Sequence, residues 1–137
     1  MMKRLLPFCF LIVLLTCNAV FAKAQDFPAT KKQAIDWLSA SEWKLKALVI
    51  DGRRLNAEII NMKASISFIA DSSYSMEFMS EKRQGIYEVN MNEKWVRLFN
   101  NETSKEILIR NLKAEEFEAK SLGEDDGELI MIFVPLK

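Results

Sequence analysis

From Ser41 onward the apolar residues of this chain recur at every second position, in short runs. Trp43, Leu45, Ala47 and Val49 alternate with Lys44 and Lys46, and Ile66, Phe68 and Ala70 with Ser65, Ser67 and Ile69. Tyr74, Met76 and Phe78 alternate with Ser75 and Glu77, and Tyr87, Val89 and Met91 with Glu88 and Asn90. Trp95 to Phe99, Glu106 to Arg110, Glu116 to Lys120 and Leu129 to Val134 complete the set, and Pro135 ends it. A period of two puts successive side chains on opposite faces of a strand. Turn formers such as Asp51-Gly52 and Asp71-Ser72-Ser73 separate the runs. Eight short strands at spacings of roughly 8–12 residues indicate an all-β sandwich or barrel. The connections are too short for crossover helices, so neighbours pair antiparallel. Closure removes exposed edges, and the strand count and meander order suit an up-and-down eight-stranded barrel. A sandwich of two short sheets is the alternative. Arg53 to Met62 fits neither pattern; it reads as an irregular loop, a short helix or an extra edge strand.

A single helical stretch precedes the strands. Thr30-Lys31-Lys32-Gln33 has the form of a capping box. Ala34, Ile35 and Leu38 follow at helical spacing, and Trp37 widens the apolar face, which predicts a helix over 31–40. A helix this short is marginal in water by itself. It must pack on the strands, and Trp37 is the expected anchor.

The first 24 residues have the layout of a secretory leader. Lys3 and Arg4 open it, an apolar run from Leu5 to Phe21 is broken only by Pro7, Thr16 and Asn18, and Ala22-Lys23-Ala24 closes it ahead of Gln25. The run is shorter than the roughly 20 apolar residues a membrane-spanning helix needs. Residues 1–24 are therefore expected to be removed, leaving an exported domain of residues 25–137, periplasmic or secreted. Leu14-Leu15-Thr16-Cys17 is similar to the lipobox of bacterial lipoproteins, so lipidation at Cys17, with the domain held at a membrane, is the alternative.

The chain has no histidine, and its two cysteines, Cys9 and Cys17, both lie in the leader. That leaves the domain without a Ser-His-Asp triad, a cysteine nucleophile or a structural disulfide. It also lacks the His and Cys ligands of ordinary zinc, copper and haem sites, so no metal and no cofactor is expected. The leader contains Lys3, Arg4 and Lys23 and no acid. Sixteen basic residues then face 19 acidic ones, a net charge of −3. No basic block is present, so nucleic acid is not an expected partner. An enzyme would need carboxylate, lysine or tyrosine chemistry at a spacing the chain does not offer; Glu115 and Glu116, as neighbours, point to opposite sides. No catalytic role is expected.

Three segments, taken in order, resemble the small bacterial lipocalin-like domains of secreted or lipid-anchored proteins. Trp43-Lys44-Leu45 through Asp51-Gly52 is similar to their opening tryptophan strand. Ser67 through Tyr74 is similar to their phenylalanine–turn–tyrosine hairpin, with Ser72 or Ser73 where glycine is usual. Gly85 through Val89, Trp95, Ile107-Leu108-Ile109 and Asn111 through Phe117 are similar to their second half. The likeness spans residues 42–135. It implies a barrel and, by analogy, a pocket; no binding residue carries over, because these domains share no fixed ligand motif.

On this pattern the barrel interior is lined by Trp43, Leu45, Phe68, Tyr74, Met76, Phe78, Tyr87, Trp95 and Phe133. Those side chains suit a small hydrophobic ligand, with the tyrosine hydroxyls as polar fixing points. They suit equally a close-packed core with no cavity. Glu124-Asp125-Asp126, between Gly123 and Gly127, lacks the alternating ligands of a calcium loop and reads as a solvated hairpin tip. Asp51-Gly52-Arg53-Arg54 reads as an ordinary surface turn, and Asn101-Glu102-Thr103 fits a glycosylation sequon. Two functions follow: an exported binding module for a small hydrophobic molecule, or a filled barrel that contacts an envelope partner without a ligand.

Overall fold

The structure is a computed structural model that describes residues 26–100, 106–122 and 129–136. The leader with Cys9 and Cys17, the Asn101-Glu102-Thr103 sequon and the Glu124-Asp125-Asp126 run lie outside the described residues. One helix, α1 (Lys31–Ser39), precedes nine strands: β1 (Trp43–Ile50), β2 (Arg53–Asn56), β3 (Ala64–Phe68), β4 (Ser73–Phe78), β5 (Glu81–Asn90), β6 (Trp95–Phe99), β7 (Glu106–Leu112), β8 (Phe117–Leu122) and β9 (Leu129–Pro135).

Eight of the strands form a closed antiparallel barrel, β1 and β3 to β9, as the alternation predicts. Closure is made by β1 against β9, in register from Trp43 opposite Pro135 to Ile50 opposite Leu129. The sandwich alternative is thereby excluded. The ambiguous 53–63 segment begins as an edge strand: β2 pairs only with the last four residues of β1, from Ala47 opposite Asn56 to Ile50 opposite Arg53. The turn joining them holds Asp51 at φ 49° and Gly52 at φ 83°, the left-handed pair a two-residue hairpin needs. The β4–β5 turn has the same geometry at Met79 (φ 51°) and Ser80 (φ 81°), a dipeptide with no turn signature in sequence.

Two irregularities in β1 shape the molecule. Its register against β9 shifts between Leu45 and Ala47, a bulge at Lys46. One extra residue reverses the facing of everything after it. Trp43, Leu45 and Leu48 join the core cluster, whereas Ala47, in phase with Trp43 and Leu45 in the sequence, does not. The second irregularity is on the other edge: β1 pairs with β3 only at Trp43–Ile66 and Lys44–Ser65. Beyond Leu45 the two strands part, and β2 takes up the free edge of β1.

Helix α1 covers the end of the barrel where β1 begins. Thr30 Oγ1 accepts a hydrogen bond from the Gln33 amide at 3.1 Å, and Gln33 Oε1 accepts one from the Ala29 amide at 3.0 Å. The helix ends at Ser39, with Ala40 as its C-cap. Ala34 and Leu38 are fully buried, and the Trp43 indole donates to the Leu38 carbonyl at 2.9 Å. Trp37 packs on the core margin but stays partly exposed, so Leu38, not Trp37, is the anchor. The segment before the helix is tied to β7: the Leu112 amide donates to the Asp26 carbonyl at 2.8 Å.

Candidate functional site

Seven of the nine side chains expected inside the barrel are buried there: Trp43, Leu45, Phe68, Tyr74, Met76, Tyr87 and Phe133. They meet each other, with Phe117 at the centre. Its ring centroid lies 4.7 Å from Trp43, 6.1 Å from Phe68 and 5.1 Å from Phe133. Phe68 in turn lies 5.3 Å from Tyr87, edge to face, and 6.5 Å from Tyr74. These separations are those of aromatic pairs in direct contact. In this half of the barrel the aromatic residues therefore fill the interior with one another. The Tyr87 hydroxyl is also committed: it donates to the Ile69 carbonyl at 2.7 Å. Burial raises the pKa of the Tyr74 phenol, with Arg83 opposing, and raises that of Tyr87, with the Asp71 carboxylate adding to the effect. Both phenols stay protonated near neutrality.

The other two residues lie elsewhere. Phe78 is half-buried at the margin of the core. Trp95 is on the outer face, because the fully buried Val96 and the nearly buried Leu98 set the inward phase of β6. Its indole donates to Glu93 Oε2 at 2.8 Å, and the Arg97 guanidinium stands 5.7 Å from its ring and 4.2 Å from that of Phe99. In Trp95-Val96-Arg97-Leu98-Phe99 both phases are apolar, so alternation alone selects neither. Phe117 is not among the nine expected residues, although its place between Glu116 and Glu118, in phase with the buried Ala119, marks it as inward by the same alternation.

Open space lies where β1 and β3 part. A hollow of about 540 Å³ runs between the two strands and the turn after β2. Leu45, Ala57, Met62 and Ala64 form its apolar part; all four belong to the core cluster or pack against it. Lys44, Lys46 and Lys63 stand at its rim. The turn is held by its own backbone: the Ala57 amide donates to the Lys46 carbonyl at 2.9 Å, and the Met62 amide to the Ala57 carbonyl at 2.9 Å. Asn56 Oδ1 accepts from the Glu58 amide at 2.9 Å. A second hollow of about 440 Å³ shares Asn61, Lys63 and Ala64 with the first and reaches Met79 and Ser80. A smaller one of about 280 Å³ lies across β3, β4 and β5, lined by Ser65, Ser67, Ser75 and Arg83. The volume of the largest falls in the range of small-molecule sites, about 300–1,000 Å³. Nothing in the sequence pattern marked it, because it depends on strands that fail to pair.

Among the described residues, no group of three or more carboxylates stands close enough to hold a metal ion. No helix among them is long and apolar enough to cross a membrane.

The barrel has a solved counterpart. A protein from Bacteroides uniformis ATCC 8492, determined by NMR, superposes with a TM-score of 0.50 over 75% of this chain and 92% of its own, at 19% identity. At that identity the likeness concerns the fold alone. No family model matches the chain, and no curated protein matches it in sequence.

Proposed function

We propose that this chain is an exported, lipocalin-like binding module, without catalytic activity, that holds a small hydrophobic molecule. The observation that supports it is the parting of β1 from β3 over an apolar hollow continuous with the core. The molecule sits in that side hollow, against Leu45, Ala57 and Met62, and not along the barrel axis that the aromatic cluster occupies. Apolar contact supplies the affinity, and the lysine rim orients any polar end. Export rests on the leader, and release from the membrane on its cleavage ahead of Gln25.

The test is native mass spectrometry of the exported protein, paired with organic extraction. A co-purified small molecule, lost or weakened in Met62→Trp while the fold persists, is the expected result. A protein whose mass equals that of its bare chain, and whose extract is empty, contradicts it. The tight contacts around Phe117 favour the second reading, a filled barrel that serves as an interaction module; that reading gains from an empty extract. The intact mass of the same sample decides the anchor. A first residue at Gln25 sets the domain free, whereas a lipid-modified Cys17 holds it at a membrane.

A further inference from the structure

We infer that the barrel end away from α1 docks on an anionic lipid surface through the β1–β2 hairpin and the turn that follows it. Two independent features of residues 46–63 meet there.

The first is exposed apolar surface. Ile50, Leu55, Ile59 and Ile60 are all exposed, Ile59 by 84%, and Met79 on the adjoining β4–β5 turn is exposed by 52%. Leu55 lies opposite Leu48, and Arg53 opposite Ile50, so Leu55 and Ile50 are diagonal neighbours on one face of the hairpin. The Met79 amide donates to the Lys63 carbonyl at 3.0 Å, which joins the second turn to the first. Isolated exposed apolar residues are ordinary; several gathered at one end of a small domain mark a contact surface.

The second is charge. Residues 46–63 contain Lys46, Arg53, Arg54 and Lys63 against Asp51 and Glu58, a net +2. The domain from Gln25 carries −3, so the remainder carries −5. None of these four cations makes an ion pair among the described residues, whereas Arg83, Arg97 and Lys113 pair with Glu81, Glu106 and Asp26. Free cations interleaved with exposed isoleucines suit a surface that offers fixed negative charge above hydrocarbon, which is an anionic bilayer. An acidic protein would satisfy the charges without accommodating Ile59. The inference stands whether or not the side hollow holds a molecule.

The test is co-sedimentation of the exported protein with vesicles of phosphatidylcholine containing phosphatidylglycerol, and with vesicles of phosphatidylcholine alone. Cys17→Ser is carried throughout so that no acyl chain contributes. Binding only to the anionic vesicles, weakened by salt, is expected. Arg53→Ala and Arg54→Ala should each weaken it about fivefold. Ile59→Asp, at a position too exposed to disturb the fold, should weaken it with an unchanged circular dichroism spectrum. Equal binding to both vesicles, no binding to either, variants that bind like the parent, or full displacement by inorganic phosphate would each overturn the inference.

Discussion

Trp43 is the residue on which the helix-covered end of the barrel depends. It is fully buried, packs at a tilt against Phe117 and donates its indole N–H to the last turn of α1. Trp43→Ala is expected to cost about 3–5 kcal/mol in chemical denaturation. Trp43→Phe keeps most of the packing but leaves the Leu38 carbonyl without its donor, at about 1 kcal/mol more than the packing loss alone. Gly85 is a different kind of constraint. A Cβ there would collide with the Phe99 carbonyl oxygen and come within 2.8 Å of the Tyr74 ring. Gly85→Ala should therefore destabilise by about 1–3 kcal/mol, read in the same assay. The buried phenols predict an alkaline limb. Their folded pKa values are raised, so Tyr74 and Tyr87 leave stability unchanged below about pH 10 and withdraw it as pH rises through their folded pKa values. Tyr87→Phe should flatten that limb of the pH–stability curve while lowering the plateau by about 1 kcal/mol through loss of the hydroxyl's bond to the Ile69 carbonyl, which keeps the Ser72 amide as a donor. At this scale the sequence was readable where polar residues flank a single apolar one, as at Leu45, Tyr74 and Met76. It was unreadable where both phases are apolar, as at Trp95.

Among the elements, α1 shows how far local signals reach. Its start was legible because the Thr30–Gln33 bonds lie within four residues of each other. Thr30→Ala should cost about 1 kcal/mol, seen as a lower Tm and as faster exchange of the Trp43 indole proton. The helix anchor was not legible, since which side of a short helix meets the barrel is decided by Trp43 and the strands beneath. The same limit applies to β1. Trp43, Leu45 and Ala47 alternate with lysines, but Ala47 to Ile50 is apolar at every position, so either phase reads as inward there and nothing announces a bulge at Lys46. Register against β9 imposes the bulge, through residues more than eighty positions away. The Asp51-Gly52 turn announced itself, and Met79-Ser80 did not, although both adopt the same left-handed pair. A turn imposed by the flanking strands needs no turn-forming residue.

For the molecule as a whole, the barrel divides into two halves with different characters. Near α1 the rings of Trp43, Phe68, Phe117 and Phe133 close the interior. Away from it β1 and β3 separate, β2 folds outward, and the side hollow opens. Strand number and antiparallel order were legible from spacing. The separation was not, because it reflects a pairing that is absent. The proposed binding site therefore sits off the axis, and the most direct test of that placement is methyl NMR of the exported protein during titration with an amphipathic apolar probe, 1-anilinonaphthalene-8-sulfonate. Met62 lines the hollow and Met131 lies within the core. The account predicts that the Met62 methyl shifts with probe concentration while the Met131 methyl and the Trp43 indole proton stay in place. Shifts at Met131 and Trp43 with Met62 unmoved would put the molecule on the barrel axis and contradict it.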